Sequence, residues 1–159
     1  MASYRGHLVG GVLTFGLVLF MRPELTELGL IKLTIALTIT LLGSLFPDID
    51  TKSMGQKVFY SLLAVCLVPT ICAQSWGLLT IFMILGLVPI LVPHRGLTHS
   101  PYFLLIAPLF IIWLLSAIDA RFILLPGYLY FFFVAGAMSH LILDYSPTQL
   151  ARRLFFIKR

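Results

Sequence analysis

Charged side chains are scarce in this chain, and in one long stretch they are missing altogether. Only 11% of the 159 residues are charged and 60% are hydrophobic, whereas soluble globular domains carry about 25% charged residues. Between Val58 and Pro93 there is no Asp, Glu, Lys, Arg or His. Together with a mean hydropathy of +1.04, this composition excludes a soluble globular domain and predicts a membrane protein.

The length of the uncharged run predicts how often the chain crosses the bilayer. As one helix, the run from Val58 to Pro93 would extend roughly 54 Å, nearly twice the ~30 Å hydrocarbon core of a bilayer. We therefore predict two spans in it, with a break near residues 73–77. The same length test predicts four further spans, at residues 8–21, 29–46, 100–118 and 122–143. The predicted fold is an all-α, polytopic membrane helical bundle of about six spans.

Cysteine is nearly absent as well, and no soluble linker or internal repeat interrupts the chain. Cys66 and Cys72 lie six residues apart in the third predicted span, a spacing that favours two packed thiols over a disulfide or a thiolate metal site. We therefore expect a single membrane-embedded domain over residues 1–159. Residues 150–159, which are basic with an apolar centre, are typical of a tail that lies on anionic lipid, and are also compatible with a topology anchor that has no other role.

The residues able to bind metal fall at one face of the predicted bundle. Antiparallel spans alternate direction, so the start of the first span meets the ends of the second, fourth and sixth. Every histidine and three of the six acids lie there, namely His7, Asp48, Asp50, His94, His99, His140 and Asp144. Eight of the eleven Lys and Arg residues flank this face. The positive-inside rule therefore predicts that the site and both termini lie on the cytoplasmic side of the membrane.

The spacing within these groups suits a metal site. His140 and Asp144 are four residues apart in a helical segment, so both side chains project from one helix face. Asp48 and Asp50 follow Pro47, where the chain can leave a helix and turn both carboxylates towards one point.

The remaining histidines complete the donor set. His94 and His99 flank a turn at Gly96, and His7 opens the first span. Imidazole and carboxylate donors without a thiolate predict one or two divalent ions, with zinc favoured and manganese possible.

Each group also has a simpler interpretation. His7 alone is typical of a polar group at the end of a span. His140 and Asp144 are also compatible with a hydrogen bond that only holds helices together, and Asp48 and Asp50 with turn residues that end a helix. Ionisable groups at membrane depth are costly, however, and indicate function by default. All of the groups share one face, which favours the metal site.

Three residues near the histidine turn are predicted to bind substrate. Arg95 stays protonated, so its natural partner is a phosphate or a carboxylate, although it is also compatible with a simple inside-positive charge. Thr98 and Ser100 either orient ligands and substrate through hydrogen bonds or cap the helix that begins near Pro101.

Four motifs in this order resemble a known family. They are GH at 6–7, LFPDID at 45–50, HRGLTHS at 94–100 and SHLILD at 139–144. In this combination the chain resembles the YdjM-type family of bacterial inner-membrane proteins, which are regarded as metal-dependent hydrolases. The resemblance runs from His7 to about Thr148. It implies a helical metal site built from the seven histidines and aspartates above, and a distant kinship with the zinc-dependent phospholipase C and nuclease fold.

The chain departs from the family pattern at two places. Relatives follow the second aspartate with a histidine and a longer loop, whereas Thr51 and KSMG stand here. Relatives also continue past SHLILD through a Thr-Pro-x-Gly-like turn, whereas this chain reads DYSPTQLARR. The first departure removes one potential ligand, and the second alters the substrate end of the site.

We therefore predict a metal-dependent hydrolase, a phosphoesterase that acts on a lipid-linked or other anionic substrate at the cytoplasmic face. In this mechanism Arg95 binds the phosphate and Asp50 accepts a proton from the attacking water. Nucleic acid is disfavoured because the chain lacks a basic, aromatic-studded segment. Two alternatives stay open: a proton- or metal-coupled transporter, which needs a polar path through the bilayer, and a non-catalytic protein with a structural metal site.

Overall fold

The computed structural model describes residues 3–91, 96–120 and 127–145. In these ranges every regular element is helical, which confirms the all-α prediction. The α-helices are α1 (Tyr4–Met21), α2 (Leu30–Leu45), α3 (Met54–Cys72), α4 (Trp76–Leu91), α5 (Pro101–Ser116) and α6 (Gly127–Asp144). The 3-10 helices found within the described ranges are Pro23–Leu28, Phe46–Asp50 and Leu97–His99.

The centre of the bundle is the packing of α6 against α2, with α1 lying across both. The backbones of α2 and α6 approach so closely that a Cβ atom at Gly136 would clash with the carbonyl oxygen of Thr40. A Cβ at Gly43 would clash in the same way with the carbonyl oxygen of Phe133. Small residues that allow backbones to touch are the usual means of packing helices inside a membrane. The two glycines therefore set the distance between α2 and α6.

The other helices surround this centre. The α3 helix pairs with α4, and α5 packs on α6 through a buried cluster of Leu104, Ala137 and Leu141. Near the carboxyl end of α2, the 3-10 helix Phe46–Asp50 contacts the helix Leu97–His99 as well as α3 and α4. These contacts bring the end of α2, the start of α5 and the end of α6 together at one end of the bundle.

The helices lie where the sequence predicted spans, with two differences. Four are long and apolar enough to cross a membrane, counting α2 together with the 3-10 helix that follows it, whereas α4 and α5 are shorter apolar helices of 16 residues each. The number of spans therefore stays a prediction. The break between α3 and α4 falls at residues 73–75, as predicted.

The first helix begins earlier than predicted. It starts at Tyr4 and not at residue 8, because the Ser3 side chain caps it by accepting a hydrogen bond from the Gly6 amide. The resulting helix of 18 residues is longer than the predicted span and includes His7.

The prediction of packed thiols was wrong. Cys66 and Cys72 are free, as expected, but both are exposed on the outer surface of α3. The basic tail at 150–159 lies outside the described residues.

Candidate metal centre

The metal centre is built around His140, which α6 presents to the last turn of α2. Gly136 lies one helical turn before His140, and Ser44 lies one turn after Thr40, so the close contact of Gly136 with Thr40 brings His140 next to Ser44. The Nδ1 atom of His140 lies 2.8 Å from the carbonyl oxygen of Ser44. Carbonyls in the last turn of a helix lack a partner within that helix, so this one is available to an imidazole.

This hydrogen bond assigns the tautomer of His140. A carbonyl oxygen only accepts, so Nδ1 carries the proton and Nε2 carries a lone pair. Nε2 faces two carboxylates, with Asp48 Oδ1 at 3.5 Å and Asp144 Oδ2 at 3.8 Å. It is buried and makes no hydrogen bond with any part of the chain that the structure describes. A buried lone pair directed at two anionic acceptors is the arrangement that a cation stabilises.

Two further histidines complete the centre. The ring of His7 stacks on that of His140 at a centroid distance of 3.7 Å, and His7 Nε2 lies 3.5 Å from Asp144 Oδ1. On the other side, His99 Nε2 lies 3.7 Å from Asp48 Oδ1. The candidate ligands thus form two groups that share His140, namely His7, His140 and Asp144, and Asp48, His99 and His140.

The spacing of these atoms fits a small divalent ion. Within each group the ligand atoms lie within 4.8 Å of one another, and the histidine-to-carboxylate distances are 3.5 to 3.8 Å. Tetrahedral zinc with ligand distances of about 2.1 Å separates its ligands by about 3.4 Å. The histidine-to-carboxylate separations are therefore slightly wider than a zinc ion needs, and ligand atoms that lie up to 4.8 Å apart have to move further inward to bind one.

His99 is oriented by a chain of hydrogen bonds. The Thr98 hydroxyl donates to Asp50 Oδ2 at 2.8 Å, and its oxygen lies 3.2 Å from His99 Nδ1. Because the hydroxyl proton is given to the carboxylate, the oxygen accepts from Nδ1–H. The Nε2 lone pair of His99 is therefore directed at the centre. The Thr98 hydroxyl thus orients His99 as the Ser44 carbonyl orients His140.

The centre is buried on most sides and partly open at Asp48. The side chains of His7, His99, His140 and Asp144 are at most 2% exposed, whereas that of Asp48 is 20% exposed. Access to the site is therefore from the side of the 3-10 helix Phe46–Asp50.

The structure brings together five of the seven predicted ligands, namely His7, Asp48, His99, His140 and Asp144. It does not bring Asp50 to the same point as Asp48, because Asp50 contacts Thr98 and belongs to neither ligand group of the described residues. His94 and Arg95 lie outside the described residues. Ser100 occupies the N-cap position of α5, as predicted, but its hydroxyl does not cap the helix.

Sequence reasoning missed two residues of the site. Ser44 contributes its main-chain carbonyl, so its residue type carries no signal. The ring of Tyr145 lies nearly perpendicular to that of His99 at a centroid distance of 6.3 Å. Its position directly after Asp144 in the SHLILD motif is the signal that was available.

Comparison with known proteins shows the family of this chain. No curated protein and no solved structure gave a significant match, so the kinship with the phospholipase C and nuclease fold stays a prediction. The model of one family, described as YdjM inner membrane protein, matches residues 1–155. The four motifs that carry the metal centre lie within this range. The chain belongs to the YdjM inner membrane protein family.

Proposed function

We propose that this protein is a metal-dependent hydrolase of the bacterial inner membrane, a phosphoesterase that acts on a lipid-linked or other anionic substrate. The observation that carries the proposal is the buried Nε2 lone pair of His140, fixed by the Ser44 carbonyl and directed at Asp48 and Asp144. The family description gives a membrane location and no reaction. The activity is therefore proposed from the chemistry of the site.

The two ligand groups describe one ion centre. The Nε2 atom of His140 has a single lone pair, so two groups that share it bind the same ion. Three imidazoles and two carboxylates suit zinc first and manganese second. When bound, a divalent ion there supplies Lewis acidity towards a phosphoryl oxygen and a water molecule.

The protein's own residues have separate roles in this proposal. Asp48 marks the open side of the centre, where substrate enters. Asp50 lies outside both ligand groups and is oriented by the Thr98 hydroxyl, so it is assigned to accept a proton from the attacking water. Arg95, close in sequence to Thr98 and His99, binds the phosphoryl group of the substrate.

The distribution of charge supports a cytoplasmic site. In the proposed topology the chain crosses the membrane several times with the metal centre on the cytoplasmic side, because most Lys and Arg residues flank that side. A basic surface also raises the local concentration of an anionic lipid substrate.

The polar residues within the helices argue against a transporter. Thr34, Thr38 and Thr40 on α2 each donate a hydrogen bond to a carbonyl four residues earlier in the same helix. On α3 and α4, Thr70 and Thr80 do the same. Hydroxyls that are satisfied by their own helix do not form a polar path from one side of the bilayer to the other.

A structural metal site is the second candidate, and the burial of four of the five ligands favours it. A structural ion stabilises the fold without turnover, whereas a catalytic ion needs an open position. The partial exposure of Asp48 favours the catalytic proposal.

Metal content tests the proposal first. The protein is purified in mild detergent without a polyhistidine tag, and zinc, manganese and iron are measured per chain for the wild type, His140→Ala and Asp144→Ala. The matched control is Glu27→Gln, since Glu27 lies on the exposed 3-10 helix Pro23–Leu28, at the other end of α1 from His7. We expect nearly one ion per chain in the wild type and the control, and a large loss in both site variants.

Activity separates the two candidate functions. Metal-loaded protein is assayed with vesicles of phosphatidic acid and phosphatidylglycerol, and with soluble p-nitrophenyl phosphate esters. Hydrolysis that is lost in Asp144→Ala supports the phosphoesterase. A bound ion that raises the unfolding temperature without any turnover of these substrates would make the site structural, and a wild type that binds no ion would remove both proposals.

A further inference from the structure

An apolar cleft separates α4 from α5, although these helices follow one another in the chain. The described residues that line it are all apolar, with Leu85 and Val88 on the α4 wall and Phe103, Ala107 and Leu114 on the α5 wall. Its volume is about 290 Å³, close to the lower end of the range for small-molecule sites, about 300 to 1,000 Å³. The described part of the cleft therefore offers no polar group to hold water.

The cleft opens to the outer surface of the bundle. Ile84 on α4 and Phe110 on α5 form its rim and are 56% and 55% exposed. Because α4 and α5 are apolar helices, this surface faces the hydrocarbon of the bilayer in the predicted topology. Hydrocarbon is the medium available to fill such a cleft, and an empty cleft would forfeit the dispersion contacts of its walls.

The length of the cleft matches one leaflet. Its lining positions on α5 run from Phe103 to Leu114, which is about 16 Å of helix at ~1.5 Å per residue. Half of a ~30 Å hydrocarbon core is about 15 Å. The cleft is therefore long enough for an acyl chain that runs from the metal-centre end of the bundle to the middle of the bilayer.

The end of the cleft nearest the metal centre is formed by residues next to the metal ligands in the sequence. Ile49, which lies between Asp48 and Asp50, lines the cleft, and so does Leu97, which precedes Thr98 and His99. Each of these two 3-10 helices therefore has one residue that lines the cleft, Ile49 or Leu97, and one that belongs to the metal centre, Asp48 or His99. A group bound at Asp48 would therefore lie next to this end of the cleft.

We propose that the cleft between α4 and α5 binds the acyl chain of a membrane phospholipid whose phosphate group lies at the metal centre. This proposal rests on the proposed phosphoesterase function and specifies its substrate as a lipid taken from the adjacent leaflet. Substrate then enters sideways from the bilayer, and the polar head moves only as far as the open side of the centre at Asp48.

Photo-crosslinking tests the cleft without any need for turnover. The full chain is placed in phosphatidylglycerol and phosphatidylethanolamine vesicles that contain a trace of diacyl phospholipid with a diazirine in mid-chain. Labelled peptides are mapped by mass spectrometry. We expect labelling of half-buried cleft residues, with Leu85 and Ile111 as the sites to follow, in addition to the exposed residues that contact bulk lipid.

Two pairs of variants give matched controls. Val88→Phe fills the cleft, whereas Leu87→Phe adds a ring on the exposed outer face of α4. Leu114→Trp and Leu109→Trp form the corresponding pair on α5. A ring that occupies the cleft excludes part of the acyl chain, and a tenfold loss of binding corresponds to about 1.4 kcal/mol. We expect about tenfold less labelling of cleft residues in the first member of each pair and no change in the second.

The outcomes separate the cleft from the chemistry. If only outer residues are labelled, or if both members of a pair lose labelling equally, the cleft does not hold an acyl chain. Metal content checks that each variant is folded. Cleft labelling in a protein that hydrolyses none of the phospholipids supports lipid binding and overturns the phosphoesterase. For an active protein, Val88→Phe should raise the KM for phosphatidic acid vesicles, whereas Leu87→Phe should leave it unchanged.

Discussion

The Nδ1 atom of His140 donates a hydrogen bond to the carbonyl oxygen of Ser44 over 2.8 Å, which ties the metal centre to the packing of α6 on α2. Both residues lie one helical turn beyond the point where Gly136 contacts Thr40. Any change that separates the two helices therefore also moves a metal ligand.

Gly136→Ala tests this connection. The new methyl group would clash with the Thr40 carbonyl, which is part of a helix backbone and cannot rotate away. We expect a lower unfolding temperature in detergent, corresponding to about 1 to 3 kcal/mol, and weaker zinc binding because His140 moves away from Ser44.

Gly16→Ala is the control for that variant. Among the described residues, no atom outside the surrounding backbone of α1 lies within 4 Å of a Cβ built at Gly16, and replacing a helical glycine with alanine stabilises a helix by up to about 1 kcal/mol. We expect equal or higher stability and unchanged zinc affinity. A Gly136→Ala protein with wild-type zinc affinity would show that the packing of α2 and α6 does not position His140.

Thr98→Val removes the hydroxyl between Asp50 and His99 while keeping the shape of the side chain. Loss of a hydrogen bond that orients a metal ligand typically lowers metal affinity by about 10- to 100-fold, and we expect a loss in this range. Zinc affinity is measured by competition with a chromophoric chelator. Thr98→Ser restores the hydroxyl and should restore most of the affinity, whereas a purely steric role for Thr98 predicts no rescue by serine.

Asp48→Asn separates the stability of the protein from its affinity for metal. Without an ion, the carboxylates of Asp48 and Asp144 both face the same lone pair of His140, so removing one charge should stabilise the metal-free protein. A ligand present at 100 times its Kd stabilises the folded protein by about 2.7 kcal/mol. Because Asp48→Asn lacks one ligand and should bind zinc more weakly, zinc should stabilise this variant less than the wild type.

Thermal unfolding with and without zinc measures both effects of Asp48→Asn. Glu27→Gln removes one charge on an exposed 3-10 helix away from the site and should change neither value. An Asp48→Asn protein that is less stable than the wild type in the presence of a chelator would contradict the proposed repulsion.

The sequence predicted the members of the metal centre better than it predicted their arrangement. The four-residue spacing of His140 and Asp144 is a property of any helix, so their contact could be predicted. Asp48 and Asp50 instead face different partners, because they lie on a 3-10 helix in which residues two apart point in different directions.

Packing between helices explains the remaining misses. The role of Ser44 depends on its main chain and on the close approach allowed by Gly136, and neither leaves a pattern in hydropathy. The cleft also depends on which faces of α4 and α5 are turned towards each other. Their uniform apolar composition predicts membrane helices and does not indicate which face of each helix lines a cavity.

The two exposed cysteines give a test of membrane orientation that does not depend on the metal. Helix α3 begins at Met54, beside the 3-10 helix that carries Asp48, and ends at Cys72. If the metal centre is cytoplasmic, Cys72 lies near the opposite surface of the membrane. Cys66 lies six residues deeper, or about 9 Å along the helix.

A membrane-impermeant maleimide added to intact cells should therefore label Cys72 in the Cys66→Ser variant. It should label Cys66 much less in the Cys72→Ser variant, because bilayer hydrocarbon excludes a charged reagent. A membrane-permeant maleimide on detergent-solubilised protein should label both, since both thiols are exposed. Labelling of Cys72 only in inverted membrane vesicles would place the metal centre on the outer side. That result would exclude a cytoplasmic substrate while leaving the metal chemistry intact.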